Sequence, residues 1–290
     1  MPARPKATVT SSASKAAPIG WGATQTKGNS MIRVTTRSAA IEPAAMPNRT
    51  AASPAIAYSH FSVGVAYMSA YDSMDAAKLF DRALEIQPDF AYSHLGRSLL
   101  ALAGRDYTTA LKESMTMLAG APDDIIGLAL SGDVALLAGD RDGALRYLRH
   151  AATLAPLDQV FFLFRRPATR LAFLLRAEGK RGEVERLLKE SRQKDQEDLK
   201  EGDESCGPCY DLASINAMEG QKDEAFLWLR KAVDAGWRDY RFGSVDPLLV
   251  SLRDDARYPR LLEEVMEKVE GMRKKMEGDS AQLNTISEVH

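Results

Sequence analysis

The chain has 290 residues, of which 45% are hydrophobic, so it is long and apolar enough to bury a sizeable core. Its net charge of −2 does not provide the basic surface that nucleic-acid binding requires. No apolar run reaches the roughly 20 residues that a membrane-spanning helix needs, and the N-terminal residues lack the apolar core of a secretory signal peptide.

The N-terminal residues 1–52 are basic and rich in Ala, Ser and Thr. Residues 1–56 contain seven Lys or Arg and one acidic residue, Glu42, so the rest of the chain is mildly acidic. We predict a disordered tail over residues 1–52, because they contain too few large apolar residues to offset the entropy cost of ordering. An acid-poor start with Ser and Arg is also typical of an organelle transit peptide. The sequence thus predicts a cytoplasmic protein, with a transit peptide as the alternative.

Residues 53–158 contain three consecutive copies of one pattern, and its period of about 34 residues is typical of helical repeat arrays. Apolar residues recur at helical spacing in two stretches of each copy, and a proline follows the second stretch, where a helix must end. The landmarks that recur at this period are Ala76, Ala110 and Ala144, and Pro88, Pro122 and Pro156. Each copy is therefore predicted to form a pair of helices.

The first copy resembles the tetratricopeptide repeat signature. The residues that carry the resemblance are His60, Val63, Gly64, Tyr67, Ala76, Phe80, Ala83 and Pro88. The third copy keeps Gly132 and Ala144, whereas in the second copy Ser98 replaces the glycine. The resemblance implies an all-α superhelix, a tetratricopeptide solenoid of four to five helix pairs closed by a C-terminal capping helix.

Residues 159–204 are predicted to form a degenerate fourth helix pair followed by a charged linker. The apolar run 160–164 is interpreted as a cover for the end of the three-repeat stack, with a partner-binding patch as the alternative. Pro167 is expected to kink or break the first helix of this pair. Most side chains in the stretch 189–204 are charged, which predicts a solvated extension of the second helix that ends at Gly202.

Residues 205–277 are predicted to form a fifth helix pair and a C-terminal cap, and residues 278–290 a frayed tail. The block 211–265 resembles the end of many bacterial tetratricopeptide proteins, through Ala-Gly-Trp, Asp-Pro-x-Leu, Leu-Arg-x-Asp and Leu-Leu in that order. It departs from that pattern at Ala256, where a proline is usual. The last long helix, residues 259–277, has one apolar face and one charged face. A repeat array needs a terminal unit of this kind, so a cap is favoured over a free coiled coil.

Cys206 and Cys209 form the string Cys-Gly-Pro-Cys, which resembles the active-site sequence of thioredoxins. A predicted helix follows, and its N-terminus would lower a thiol pKa. The strands of a thioredoxin context are missing, Ser205 replaces the usual tryptophan, and two acids precede it. The pair is interpreted as ordinary thiols, with a redox-sensitive pair or local disulfide as one alternative and a dithiol catalyst as another. Zinc would need two more ligands, so we expect neither a metal nor a cofactor.

In tetratricopeptide folds the first helix of each pair lines the concave face. Carried over to this register, the resemblance assigns thirteen partner-binding residues: Tyr58, Phe61, Val65, Met68, Tyr92, Leu95, Leu99, Leu102, Ile126, Ala129, Leu130, Asp133 and Leu137. Asp133 alone is charged, which does not fit a clamp for acidic chaperone tails. An apolar groove is expected to bind an amphipathic helix or an extended apolar segment, from another protein or from a terminal segment of this chain. The alternative is that some of these residues belong to the core between helices.

The predicted function is a non-enzymatic scaffold or adaptor that binds a protein or peptide partner. Two alternatives remain open. One is a redox-responsive protein that switches through Cys206 and Cys209, and the other is a regulatory module for a separately encoded enzyme. A fold of this kind does not name the partner, because members of one fold bind different ligands.

Overall fold

The computed structural model describes residues 54–69, 73–158 and 165–287. The predicted tail 1–52 and the apolar run 160–164 lie outside the described residues. Within the described ranges, five helix pairs follow one another. They are α1 (Pro54–Ser69) with α2 (Ser73–Ile86), α3 (Ala91–Ala103) with α4 (Tyr107–Gly120), α5 (Ile125–Leu137) with α6 (Arg141–Leu154), α7 (Pro167–Ala177) with α8 (Arg181–Glu201), and α9 (Cys206–Met218) with α10 (Lys222–Asp234). The predicted all-α solenoid of helix pairs is confirmed.

A C-terminal block follows the five pairs. It consists of α11 (Tyr240–Val245), a 3-10 helix (Pro247–Leu252) and α12 (Arg257–Ser287). Helix α11 packs against both α3 and α12, and the 3-10 helix packs against α9. Helix α12 continues through residues 278–287, for which the sequence predicts a frayed end.

The helix starts follow from short polar side chains. Asp106, Asp124 and Asp140 each accept a hydrogen bond from a backbone N–H in the first turn of the following helix, at 2.8 to 3.0 Å. Such a cap satisfies one of the N–H groups that have no partner inside the helix. Pro167 takes the first position of α7, where its missing N–H costs nothing. It therefore begins this helix, and the expected kink inside the helix is wrong.

One residue in the turn of each of the second to fifth pairs has a positive φ. Gly139, Gly179 and Gly220 occupy this position with φ of 84°, 70° and 79°. In the second pair the same position holds Arg105, with φ of 61°. Among the described residues, Arg105 is the one non-glycine residue with positive φ. A side chain in this conformation costs roughly 1–2 kcal/mol, because Cβ crowds the next carbonyl oxygen.

Close packing between neighbouring pairs depends on glycines that face one aromatic ring. The Phe80 ring of α2 is fully buried between Gly64 of α1 and Gly96 of α3. A Cβ on either glycine would lie 2.6 Å from a ring carbon of Phe80. The alanines 76, 110 and 144, which recur once per repeat, are fully buried.

We expect Gly96→Ala to lower the free energy of unfolding by about 1–3 kcal/mol, because the added methyl group overpacks the Phe80 contact. Chemical denaturation of the full chain measures this change. Gly104→Ala is the matched control, since this glycine ends the same helix with φ of −79° and its nearest neighbour would lie at 3.5 Å. Equal stability of Gly96→Ala and wild type would contradict the packing of Phe80 between the two glycines.

Candidate functional site

The residues predicted to line the groove divide into two groups by their burial. Seven of them are buried: Phe61, Leu95, Leu99, Leu102, Ala129, Leu130 and Asp133. Five are partly or largely exposed: Tyr58, Val65, Tyr92, Ile126 and Leu137. The side chain of Met68 lies outside the described residues. Apart from Tyr92 and Asp133, the described members pack in one cluster that joins the first helices of the first three pairs.

A side chain from the C-terminal block belongs to the same cluster. Phe242 of α11 is 6% exposed and packs in the apolar cluster that contains Leu95, Leu99 and Leu130. Arg105 donates a hydrogen bond to Ser244 Oγ of α11 at 3.4 Å. Helix α11 therefore lies against the face of α3 to which the sequence assigned partner binding.

Aromatic side chains remain accessible at the N-terminal ends of α1 and α3. The Phe61 ring lies 6.2 Å from Tyr58, 6.0 Å from Phe90 and 5.7 Å from Tyr92, measured between ring centroids. Tyr92 is 37% exposed, and its hydroxyl lies 3.5 Å from Asp124 Oδ2. Burial raises the pKa of Tyr92, and the nearby Asp124 carboxylate raises it further. These rings are rigid and amphipathic, which suits a binding surface.

A buried ionic network connects the C-terminal block to α7 and α9. Arg165 is fully buried, and its guanidinium forms an ion pair with the buried Asp246 and donates to Ser214 Oγ at 2.9 Å. The Tyr210 hydroxyl donates to Asp246 Oδ2 at 2.7 Å. Asp246 also accepts the Leu248 N–H at 3.0 Å, which caps the 3-10 helix. One carboxylate thus joins three parts of the chain.

The same network extends into α5 and α8. Arg170 donates to Asp133 Oδ2 at 3.0 Å, and Arg166 donates to Asp195 Oδ1 at 2.8 Å. Asp133 is therefore the ionic partner of a buried arginine. Asp195 lies in the stretch that the sequence assigned to solvent, and it is fully buried. That expectation is wrong at Asp195, because Arg166 provides an ionic partner inside the solenoid.

Asp195 and Asp211 are two fully buried carboxyl groups of this network. Burial raises the pKa of Asp195 well above its usual range, and the Asp211 charge adds to the rise. Burial also raises the pKa of Asp211. Asp195 Oδ2 and Asp211 Oδ1 have no hydrogen-bond partner among the described residues. We expect the two carboxyl groups to share one proton, because two buried carboxylates repel each other.

Cys206 and Cys209 are free thiols in the first turn of α9. Burial raises the pKa of Cys206 to about 12 and also raises the pKa of Cys209. The helix N-terminus was expected to lower these pKa values, but burial has the larger effect here. Both thiols are protonated at neutral pH, and a protonated thiol is a poor nucleophile. Their assignment as a redox pair stays a prediction.

An open cleft of about 550 Å³ lies between the C-terminal end of α3 and the start of α12. Its apolar lining consists of Ala103, Tyr240, Pro259, Leu262 and Met266. Met266 is 44% exposed, so part of this lining is open to solvent. Charged side chains of Arg105, Arg241 and Glu263 complete the walls.

The described residues contain no group of three or more His, Cys, Asp or Glu arranged to hold a metal ion. Within the same ranges, no helix is both long enough and apolar enough to cross a membrane. Neither the buried arginines 165, 166 and 170 nor Arg105 was predicted from the sequence. The positive φ of Arg105 could have been predicted, because Arg105 occupies the turn position at which the later pairs have glycine.

No protein-family model and no curated protein match the chain. The similar solved structures include TTC0263, a tetratricopeptide repeat protein of Thermus thermophilus. It is 18% identical to this chain, and the match covers 71% of this chain and 98% of TTC0263 with a TM-score of 0.49. PilF of Pseudomonas aeruginosa has 14% identity, coverage of 78% and 98%, and a TM-score of 0.46. YrrB, described as a tetratricopeptide repeat protein with an unusual peptide-binding site, has 18% identity, coverage of 68% and 91%, and a TM-score of 0.38.

Proposed function

We propose that this protein is a non-enzymatic interaction scaffold that binds a protein segment on the first helices of its repeats. The observation that carries the proposal is the row of accessible apolar side chains at equivalent repeat positions. Tyr58, Tyr92 and Ile126 are separated by one repeat period each, and each occupies the start of the first helix of its pair. A side chain repeated in this way forms a continuous surface for an extended or helical ligand.

We propose further that the chain itself fills the middle of the concave face. The support is the packing of Phe242 with Leu95, Leu99 and Leu130, together with the hydrogen bond from Arg105 to Ser244. Under this proposal, the buried residues of the predicted groove form part of the core. A partner then has access to Tyr58, Val65, Tyr92 and Ile126, which we call the open row.

Partner capture with a variant of the open row tests the proposed function. The full chain and its Tyr58→Ser/Tyr92→Ser variant serve as baits in lysate of the source cell. Each captured protein is identified, purified and titrated directly against both baits. We expect binding to the variant to be weaker by about tenfold or more, because exposed aromatic residues dominate the energy of such interfaces.

The control is Met115→Ser/Leu154→Ser, which removes two exposed apolar residues from the second helices α4 and α6. Circular dichroism confirms that both variants are folded. Equal affinity of wild type and the open-row variant for every captured protein would contradict the proposal. Failure of the wild-type bait to retain any protein would contradict it as well.

A further inference from the structure

The geometry points to a second binding site on this scaffold, in the cleft between α3 and α12. We infer that it binds an apolar peptide segment of another protein that carries an Asp or Glu side chain. This inference rests on the proposed scaffold function and names a class of partner for it. The volume of this open cleft, about 550 Å³, is within the range of ligand-binding clefts.

The backbone of Arg105 is the first argument for a ligand. The equivalent turn positions of the third, fourth and fifth pairs hold Gly139, Gly179 and Gly220, which adopt positive φ without strain. Arg105 adopts φ of 61° and carries its strained side chain into the wall of the cleft. Backbone strain of this kind concentrates at functional sites. The hydrogen bond from Arg105 to Ser244 Oγ is long, at 3.4 Å. It therefore adds too little stability to offset the backbone strain at Arg105.

The lining of the cleft identifies the chemistry of the ligand. Leu262 and Met266 of α12 and Ala103 of α3 provide an apolar surface. Arg105 adds a positive charge beside it, and Arg241 and Glu263 also line the cleft. An arginine can pair with a carboxylate through two parallel hydrogen bonds, which a lysine cannot form. An acidic side chain flanked by apolar residues therefore fits this cleft.

Binding of defined peptides to the full-length chain tests the inference. The probes are fluorescein-labelled heptapeptides with Leu and Phe flanks and Asp, Glu, Asn, Gln or Lys at the centre. Fluorescence polarisation gives the dissociation constant of each probe. We expect the Asp and Glu peptides to bind about tenfold more tightly than their Asn and Gln counterparts, because a charge-assisted hydrogen bond is roughly twice as strong as a neutral one.

Arg105→Gly distinguishes a binding role from a structural one. The glycine relieves the positive φ, so we expect the melting temperature of the variant to rise by about 2–4 °C. The same variant should lose the preference for acidic over amide peptides. Arg186→Gln on α8 removes one positive charge from an exposed site outside the cleft and should keep that preference.

Three results would overturn the inference. They are equal affinity for the acidic and amide peptides, an unchanged acidic preference in Arg105→Gly, and no binding of any acidic peptide at concentrations on the order of 1 mM. The Tyr58→Ser/Tyr92→Ser variant keeps the cleft intact and should bind the acidic peptides like wild type. Loss of partner binding in that variant, with no effect of Arg105→Gly, would refute the cleft inference and leave the proposed scaffold function in place.

Discussion

Replacing Asp246 by alanine is expected to lower the free energy of unfolding by about 3–5 kcal/mol, the cost of leaving a buried charge without its partner. Asp246 is fully buried and is the ionic partner of the fully buried Arg165. The substitution also removes the acceptor of the Tyr210 hydroxyl and the cap of the 3-10 helix. Urea denaturation followed by circular dichroism measures the change.

Two variants complete this experiment. Asp254→Ala removes an exposed carboxylate a short way further along the chain and should change stability by less than about 0.5 kcal/mol. Adding Arg165→Met to Asp246→Ala removes the stranded charge, so the double variant should be more stable than the sum of the single effects predicts. A stability of Asp246→Ala within about 1 kcal/mol of wild type, the size of a single neutral hydrogen bond, would contradict the buried ion pair.

Replacing Asp195 by asparagine is expected to flatten the dependence of stability on pH. In the folded chain burial raises the pKa of both Asp195 and Asp211, so we expect the pair to keep a proton until pH passes the raised pKa values. In the unfolded chain both carboxyl groups ionise near pH 4, roughly. The unfolded state therefore binds fewer protons between these values, and stability falls as pH rises, with a slope approaching about 1.4 kcal/mol per pH unit. The asparagine would remove this slope, since its amide donates permanently to Asp211.

The measurement is the free energy of unfolding of wild type, Asp195→Asn and Asp198→Asn between about pH 3 and about pH 9. Asp195→Asn should gain stability relative to wild type as pH rises. Asp198→Asn is a control whose stability is expected to change with pH in the opposite direction. Burial alone would raise the pKa of Asp198, but hydrogen bonds from Lys194 and Arg166 hold this pKa below its usual value. Asp198→Asn should lose stability above about pH 4 and approach wild type at lower pH. Parallel pH profiles of wild type and Asp195→Asn would show that no proton is shared.

The repeated part of the fold was predictable from sequence because it depends on local spacing. Buried alanines recur once in every repeat period, and short helices joined by tight turns leave few other arrangements for them. The fifth pair was recognised in the same way. Its first helix starts at Cys206, slightly earlier than the apolar pattern alone indicates.

The interior charges could not be predicted in this way. Asp195 lies in a run of charged residues, and such a run normally covers a solvated helix face. Its burial depends on Arg166, which lies 29 residues earlier and approaches it only when α7 and α8 pack together. The charged stretch 189–204, which connects the fourth and fifth helix pairs, therefore contains a buried charged residue, Asp195.

The candidate site was predicted in part. The repeat register identified Tyr58, Tyr92 and Ile126 as equivalent positions, and these side chains remain accessible. It did not indicate that Phe242 packs with Leu95 and its neighbours, because that contact joins residues from distant parts of the sequence. Local periodicity carries no information about such a contact.

Hydrogen–deuterium exchange of the full chain tests most directly whether the C-terminal block fills the middle of the concave face. We expect amides of residues 240–252 to be protected to the same degree as those of α3 and α5, because these segments open together when they share one core. Exchange of residues 240–252 within seconds, while α3 and α5 stay protected, would contradict the account. The middle of the groove would then be open to a partner.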